Sequence, residues 1–373
     1  MTQPDDLLNA LADIDPDSDL ARARQVRHAA TQHTQGSYAL LFSQQDEDFP
    51  LPDRLTLAAQ LAEWHAQPGL QAHYLQQRSL QPDRPAGGAS ERDRAADAFA
   101  HRLTFEPVSA APAHIAELQQ AGWSPRGIVT LAQLVAFISF QSRLLAGLRA
   151  LQGDAAQGET ASVVAGHWHD APLTASGNTA VTAFTQRELG WEPWLAAKPL
   201  AEFSADEQAT LAKFGHSDSD YFRLLARNLP LLEQRTLTDK GIFYTAGGLP
   251  RAERELAATV VSKVNGCIYC ASVHARKASQ LSKQDEAIQK LLNVAPGTVL
   301  SHGQSPRWQA LIAFSAALSV TPSQLTQQHI DALLEQGLDT LALLDLIQST
   351  AFFAWANRLM LTLGEPFLPQ QQG

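Results

Sequence analysis

The chain's only two cysteines, Cys267 and Cys270, stand three positions apart, with Glu255 upstream of the pair and His274 downstream. These residue types suit thiol redox chemistry. On a helix over 267–281 the two sulfurs and the imidazole fall at i, i+3 and i+7, on one stripe, so His274 comes within reach of Cys270. Gly266 breaks the helical pattern ahead of the pair. The first cysteine is therefore expected near a helix N-terminus, where unpaired backbone N–H groups and the macrodipole favour thiolate. Thiolate is the nucleophile in both peroxide reduction and disulfide exchange. Glu255 is expected on the preceding helix, facing His274 to hold its tautomer or accept its proton through water.

Other chemistries fit these residues less well. A structural zinc site would find ligands of acceptable type in Cys267, Cys270, His274 and Glu255, but such sites usually draw on two separated ligand pairs. The sequence holds no second Cys-x-x-Cys and no His-x3-His. Haem attachment needs a histidine directly after the second cysteine, where Ala271 stands. A zinc deaminase needs His-x-Glu at a suitable distance upstream, which is missing. A thioredoxin-type site needs a βαβ setting, whereas 250–281 carries helical periodicity. Two inert buried cysteines would need no linked acid and histidine. The reading is a dithiol redox site with no metal, no flavin and no other cofactor.

The motif Glu255-x11-Cys267-x-x-Cys270-x3-His274 resembles the signature of the AhpD-like alkylhydroperoxidases of the carboxymuconolactone decarboxylase-like superfamily. The flanking words Gly248-Leu249-Pro250-Arg251-Ala252-Glu253-Arg254-Glu255 and Asn265-Gly266-Cys267 look like its peroxidase-related branch, and the likeness runs from about 183 to 367. The resemblance implies that Cys270 attacks the peroxide and becomes a sulfenic acid, that Cys267 resolves it to a disulfide, and that Glu255 and His274 shuttle the proton. It also implies a hydroperoxide substrate, with a lipoyl or thioredoxin-like dithiol as reductant. Tyr269 stands where the best-known members carry a second histidine, and its hydroxyl can still donate a hydrogen bond. Other readings remain: a disulfide reductase acting on a protein or lipoyl partner, a non-redox lyase or lactone-processing enzyme of the same superfamily, or a binding scaffold with a vestigial dithiol.

At 373 residues and 45% hydrophobic content the chain is long enough for two globular domains. A formal net charge of −10 and the lack of a dense basic cluster argue against nucleic acid. The acidic start, Met1-Thr2-Gln3-Pro4-Asp5-Asp6, does not read as a secretory signal, so a cytoplasmic, reducing location is expected, where a cysteine pair is catalytic rather than structural. The apolar stretches 130–140 and 341–363 are short or interrupted by Asp345, Asn357 and Arg358, and are expected to be buried core helices rather than membrane spans.

The chain also resembles itself. At a shift of 215, Ala98-Phe99, Leu103, Pro107, Ile115, Leu118, Gly122 and Arg143-Leu144 meet Ala313-Phe314, Leu318, Pro322, Ile330, Leu333, Gly337 and Arg358-Leu359. Further upstream the shift becomes 199, which places Thr56 at Glu255, Pro68 near Cys267 and Gln71 near Cys270. The fold expected is therefore all-α, two AhpD-like helical bundles related by internal duplication. Residues 1–152 form a degenerate copy without the cysteines, 153–182 a linker, and 183–373 the peroxidase-like domain. Related proteins form rings or dimers of single domains, so a homo-oligomer is expected, with a trimer standing in for a hexamer.

Several polar groups have structural roles in this reading. His65 and His73, candidates for a base in the first copy, are expected to be core-satisfied or solvated. His167-Trp168-His169 is expected in an exposed loop, since histidines at i, i+2 make a poor chelate. Pro82 to Glu91 is expected to be another loop. Arg143 and Arg358 are expected to bridge to an acid across the interface between copies. Trp191-Glu192-Pro193-Trp194 is expected to pack on the second bundle.

Overall fold

The computed structural model describes residues 6–43, 48–82, 89–158 and 162–370, and within them the regular secondary structure is helical apart from one two-stranded antiparallel ribbon. The all-α expectation holds. The first half contains α1 (Leu7–Leu11), α2 (Asp19–Val26), α3 (His28–Ser43), α4 (Leu51–Trp64), α5 (Pro68–Ser79), α6 (Glu91–Phe105), α7 (Pro112–Gln120) and α8 (Pro125–Leu151). The second contains α9 (Ala205–Phe214), α10 (Asp220–Leu225), α11 (Leu229–Phe243), α12 (Arg251–Asn265), α13 (Ile268–Ser282), α14 (Asp285–Leu292), α15 (Pro306–Ser319), α16 (Gln327–Glu335) and α17 (Thr340–Thr362). The ribbon pairs β1 (Gly190–Pro193) with β2 (Gly364–Phe367), so the Trp191 segment does pack on the second bundle, its indole N–H donating to the Met360 carbonyl at 3.1 Å. The loop expected over 82–91 lies mostly outside the described residues.

The core is built on α8 and α17. Both are buried on every side, as a helix surrounded by protein is. Together they form one of the most extensive helix contacts in the chain. The Trp355 indole donates to Gln133 Oε1 at 2.8 Å across them, with the rings of Phe137 and Phe140 against it. α8 is long and apolar enough to cross a membrane by composition, but its apolar window is wholly buried among the other helices.

Polar residues inside α17 anchor other elements. Asp345, fully buried, accepts from Arg27 Nε at 2.7 Å, Arg254 Nη2 at 2.9 Å and the Leu249 amide at 2.9 Å. This knot ties the turn between α2 and α3 to the segment that leads into α12. Gly248 makes it possible: at φ +63 a side chain is strained, and a Cβ there would lie 2.1 Å from Asp345 Oδ2.

Arg143 and Arg358 correct an expectation. Among the described residues neither meets a carboxylate. Arg143 Nη2 donates to the Ser319 carbonyl at 2.6 Å and to Thr321 Oγ1 at 2.7 Å, while Arg358 Nη2 donates to the Thr104 carbonyl at 2.9 Å. Each arginine thus serves the C-terminal end of a helix in the other half, α15 for Arg143 and α6 for Arg358. Unpaired carbonyls at a helix end carry partial negative charge and replace the acid. Burial pushes both guanidinium groups down, Arg358 to about 9, and Arg143 is lowered further by Arg358 itself.

The two halves run in parallel order. α6, α7 and α8 begin 215 positions before α15, α16 and α17, the spacing read from the sequence, and the reciprocal arginine contacts keep it. Upstream, α4 and α5 begin 200 positions before α12 and α13, and left-handed residues end the first helix of each pair, Ala66 at φ 54 and Gly266 at φ 74. The upstream register is therefore 200 rather than 199. It sets Leu55 at Glu255, Gln67 at Cys267, Leu70 at Cys270 and Tyr74 at His274. Tyr74 is buried and donates to Gln141 at 2.6 Å.

Candidate redox site

α12 stops at Gly266 because nothing larger fits. Its φ of +74 suits glycine, and a Cβ would lie 2.1 Å from the His167 carbonyl oxygen. Cys267 follows as the N-cap of α13, so the expected helix over 267–281 is present at 268–282. Cys270 and His274 sit one turn apart on it. Both cysteines are buried, at 1% and 5% exposure, and both are free thiols that are not at disulfide distance. The pair stands in its dithiol form.

The expected acid–imidazole pair is formed. His274 Nδ1 lies 2.5 Å from Glu255 Oε2, and Arg251 Nε donates to the other carboxylate oxygen at 2.5 Å. Holding Nδ1 in this way leaves Nε2 as the nitrogen that exchanges protons. Glu255 is 1% exposed, and the imidazole packs edge-on against Phe353, ring centres 4.3 Å apart. Burial alone would push the Glu255 carboxyl up, but the bond and charge of His274, with Arg251 behind, hold it below its ordinary value. Burial would likewise lower the imidazolium, yet the Glu255 bond and charge, the Cys270 thiolate and Asp239 hold it above.

The two sulfurs are driven apart in acidity. The Cys270 thiol is lowered first by a hydrogen bond from Cys267, against the penalty of burial, and then by His274, an Asn357 hydrogen bond and Arg235. Cys267 is raised well above the usual thiol range by burial and by the thiolate beside it. Of the two sulfurs, Cys270 is thus the more readily ionised. Glu255→Gln is expected to shift the pH profile of Cys270 alkylation upward, because a neutral amide no longer holds His274 protonated, and to slow peroxide reduction roughly a hundredfold. An unchanged profile would remove the relay.

Among the described residues no hydrogen bond joins the Tyr269 side chain to His274 or Glu255, and Arg251 holds the Glu255 carboxylate instead. Tyr269 lines a pocket of about 70 Å³ with Cys267, Ile268 and Met360, and burial and the neighbouring sulfur keep its phenol protonated. The opposite wall comes from the segment expected to be only a linker: His169, Leu173 and Val181 line the same pocket. That segment is stitched to the second half, with the Gly166 amide donating to Lys263 O at 3.1 Å and the Ala165 amide to Thr298 O at 2.9 Å. The His-Trp-His stretch is thus partly docked, Trp168 lying edge-on to Phe184 at 5.1 Å while His167 and His169 remain exposed. Among the described residues no group of three or more His, Cys, Asp or Glu is placed to hold a metal ion.

His65 and His73 lie apart from the site. His65 Nε2 meets Ser139 Oγ at 3.1 Å and His73 Nε2 meets the Tyr38 hydroxyl at 2.8 Å, and burial lowers both, helped at His65 by Arg143 and Arg358. They are satisfied neutral imidazoles. Sequence reasoning missed Arg251, Arg235, Asp239, Asn357 and Tyr221. Two left a signal: Arg251 stands one helical turn before Glu255, and Asn357 interrupts an apolar helix. Asn357 is fully buried, accepting from Asn265 and donating to Ser262, both at 3.1 Å.

The helical bundle thus sets two thiols of unequal acidity beside a carboxylate-held imidazole one turn away. Residues 230–302, from α11 through α14 and including Glu255, both cysteines and His274, match the model of the carboxymuconolactone decarboxylase family. This segment is similar to the carboxymuconolactone decarboxylase family. No curated protein matches the chain.

Proposed function

We propose that the chain is a thiol peroxidase that reduces hydrogen peroxide or organic hydroperoxides. The observation that carries this is the 2.5 Å His274–Glu255 contact beside the more acidic of two neighbouring thiols. The Cys270 thiolate attacks the terminal peroxide oxygen, the O–O bond breaks, and the sulfenic acid keeps the peroxide's own proton. The departing alkoxide takes its proton from the His274 imidazolium. The Cys267 thiol then displaces water from the sulfenic sulfur to form the disulfide. One hydroperoxide and two thiols yield one alcohol, one water and one disulfide.

Recycling favours attack at Cys267, because that sulfur lines the pocket and its displacement releases Cys270, the more acidic and better leaving thiolate. A lipoyl or thioredoxin-like dithiol would supply the electrons, which suits a reducing compartment such as the cytoplasm. We read the first half as a degenerate copy whose Leu55, Leu70 and Tyr74 have replaced the working groups, and which supports the active copy through the Arg143 and Arg358 contacts.

The direct test adds one equivalent of cumene hydroperoxide to the reduced protein. One equivalent of cumyl alcohol should form as both thiols disappear. Thiols that persist beside unconsumed peroxide would contradict the reading.

A further inference from the structure

The pocket wall that faces Cys267 carries a histidine which the peroxide step does not use. His169 lines the same cavity of about 70 Å³ as Cys267, and backbone contacts hold its segment there. The Gly166 amide donates to Lys263 O at 3.1 Å. The His167 carbonyl oxygen packs so closely on Gly266, the residue before Cys267, that a Cβ there would lie 2.1 Å from it. His169 follows two positions later, with its ring exposed and making no hydrogen bond among the described residues.

The other titratable groups around this cavity are engaged. Tyr269 keeps its proton, and Glu365 Oε1 accepts from the Ala175 amide at 2.8 Å and the Trp194 indole N–H at 2.9 Å. From α12, Lys263 turns its ammonium to the Leu292 and Val294 carbonyls, at 2.9 and 2.7 Å. Asp170, beside His169, is exposed and does not line the cavity. Cys267 itself is 1% exposed beside Ile268, Met360 and Leu361, so bulk water does not deliver protons freely to its sulfur. Burial and the neighbouring sulfur also raise this thiol well above the usual range, and a thiolate so basic leaves slowly unless a proton comes with it.

We propose that His169 carries the proton in the reductive half of the cycle, taking it from the entering thiol and giving it to Cys267. This rests on the dithiol–disulfide cycle of the peroxidase reading above. The first thiol of a dithiol reductant loses its proton to the His169 imidazole and attacks Cys267 Sγ; the bond to Cys270 breaks and Cys270 leaves as thiolate. The second thiol, its proton lost to solvent, attacks the reductant sulfur of the mixed disulfide and closes the reductant's own disulfide. Cys267 departs with the proton of the His169 imidazolium. Of the two thiol protons one ends on Cys267 and one in water, which balances a protein left with one thiol and one thiolate. Imidazole suits this task because it gains and loses a proton near neutrality. His274 does not line this cavity, so each sulfur has its own imidazole. His169 also precedes the segment matched to the family.

The test starts from the Cys267–Cys270 disulfide formed with diamide, so that it does not depend on peroxide, and follows its reduction by dithiothreitol over a pH series. Near neutral pH, His169→Ala is expected to slow reduction roughly ten- to a hundredfold. The gap should close above about pH 9, where an aliphatic thiol ionises unaided. Free imidazole should restore part of the rate to this variant and leave the wild-type rate as it is. His169→Gln, which keeps the bulk of the side chain on the cavity wall, should show the same pH-dependent loss. Unchanged reduction in both variants, or a loss that is equal at every pH and not rescued by imidazole, would overturn the assignment. A disulfide reduced in the expected manner by a chain that ignores cumene hydroperoxide would remove the peroxidase reading and leave His169 in its role.

Discussion

Cys270→Ser is expected to abolish peroxide consumption outright, while Cys267→Ser still consumes one equivalent and then stops with a sulfenic acid trapped on Cys270. The asymmetry follows from the unequal sulfurs. Cys270 is kept ionised by its hydrogen bond from Cys267 and by His274, so its loss removes the nucleophile; Cys267, raised by burial and by its neighbour, is protonated at neutral pH and does not replace it. Removing Cys267 also removes one hydrogen bond to the thiolate, so the single turnover should be slower than the same step in the intact pair. A dimedone adduct located at residue 270 by mass spectrometry would register the trapped species. Full turnover in both variants would end the proposal.

The largest loss of stability is expected at Asp345. Asp345→Ala leaves Arg27 and Arg254, 2% and 1% exposed, without their shared carboxylate, and leaves the Leu249 amide unpaired. Breaking a buried ion pair by removing one partner costs about 3–5 kcal/mol, because the remaining charge stays in a medium that solvates it poorly. Here two cations are stranded by one substitution, so the upper end of that range applies. The segment 246–249, whose carbonyls also accept from these arginines, leads directly into α12 and hence into Glu255. A marked fall in the urea midpoint, together with an upward shift of the Cys270 pH profile, is the expected joint result. An unchanged midpoint would show that the knot contributes nothing.

What the sequence made legible was local. The spacing from Gly266 to His274 specified a helix N-terminus, the stripe that unites Cys270 with His274, and the acid that would meet it. What it concealed came from elsewhere in the chain. Arg235 and Asp239 reach the site from α11, Tyr221 from α10 and Asn357 from α17, and only tertiary packing brings them together. Arg143 and Arg358 stood out by recurring at matching places, but their acceptors are helix-end carbonyls, which have no sequence signature. Residues 153–182 looked like a linker because they lack periodicity, yet irregular backbone can still be docked, and here it walls the pocket at Cys267. The one-residue slip in the upstream register arose because the apolar run of α4 matches at several offsets, whereas Ala66 and Gly266 fix it by backbone conformation.

The proposed chemistry requires that Cys270, not Cys267, is ionised first. It can be measured by brief exposure of the reduced protein to iodoacetamide over a pH series, with the label at each cysteine quantified by peptide mass spectrometry. Label should appear first at Cys270, at pH values below those of an ordinary thiol, and reach Cys267 only at much higher pH. Label appearing first at Cys267, or at both together in the ordinary thiol range, would contradict it.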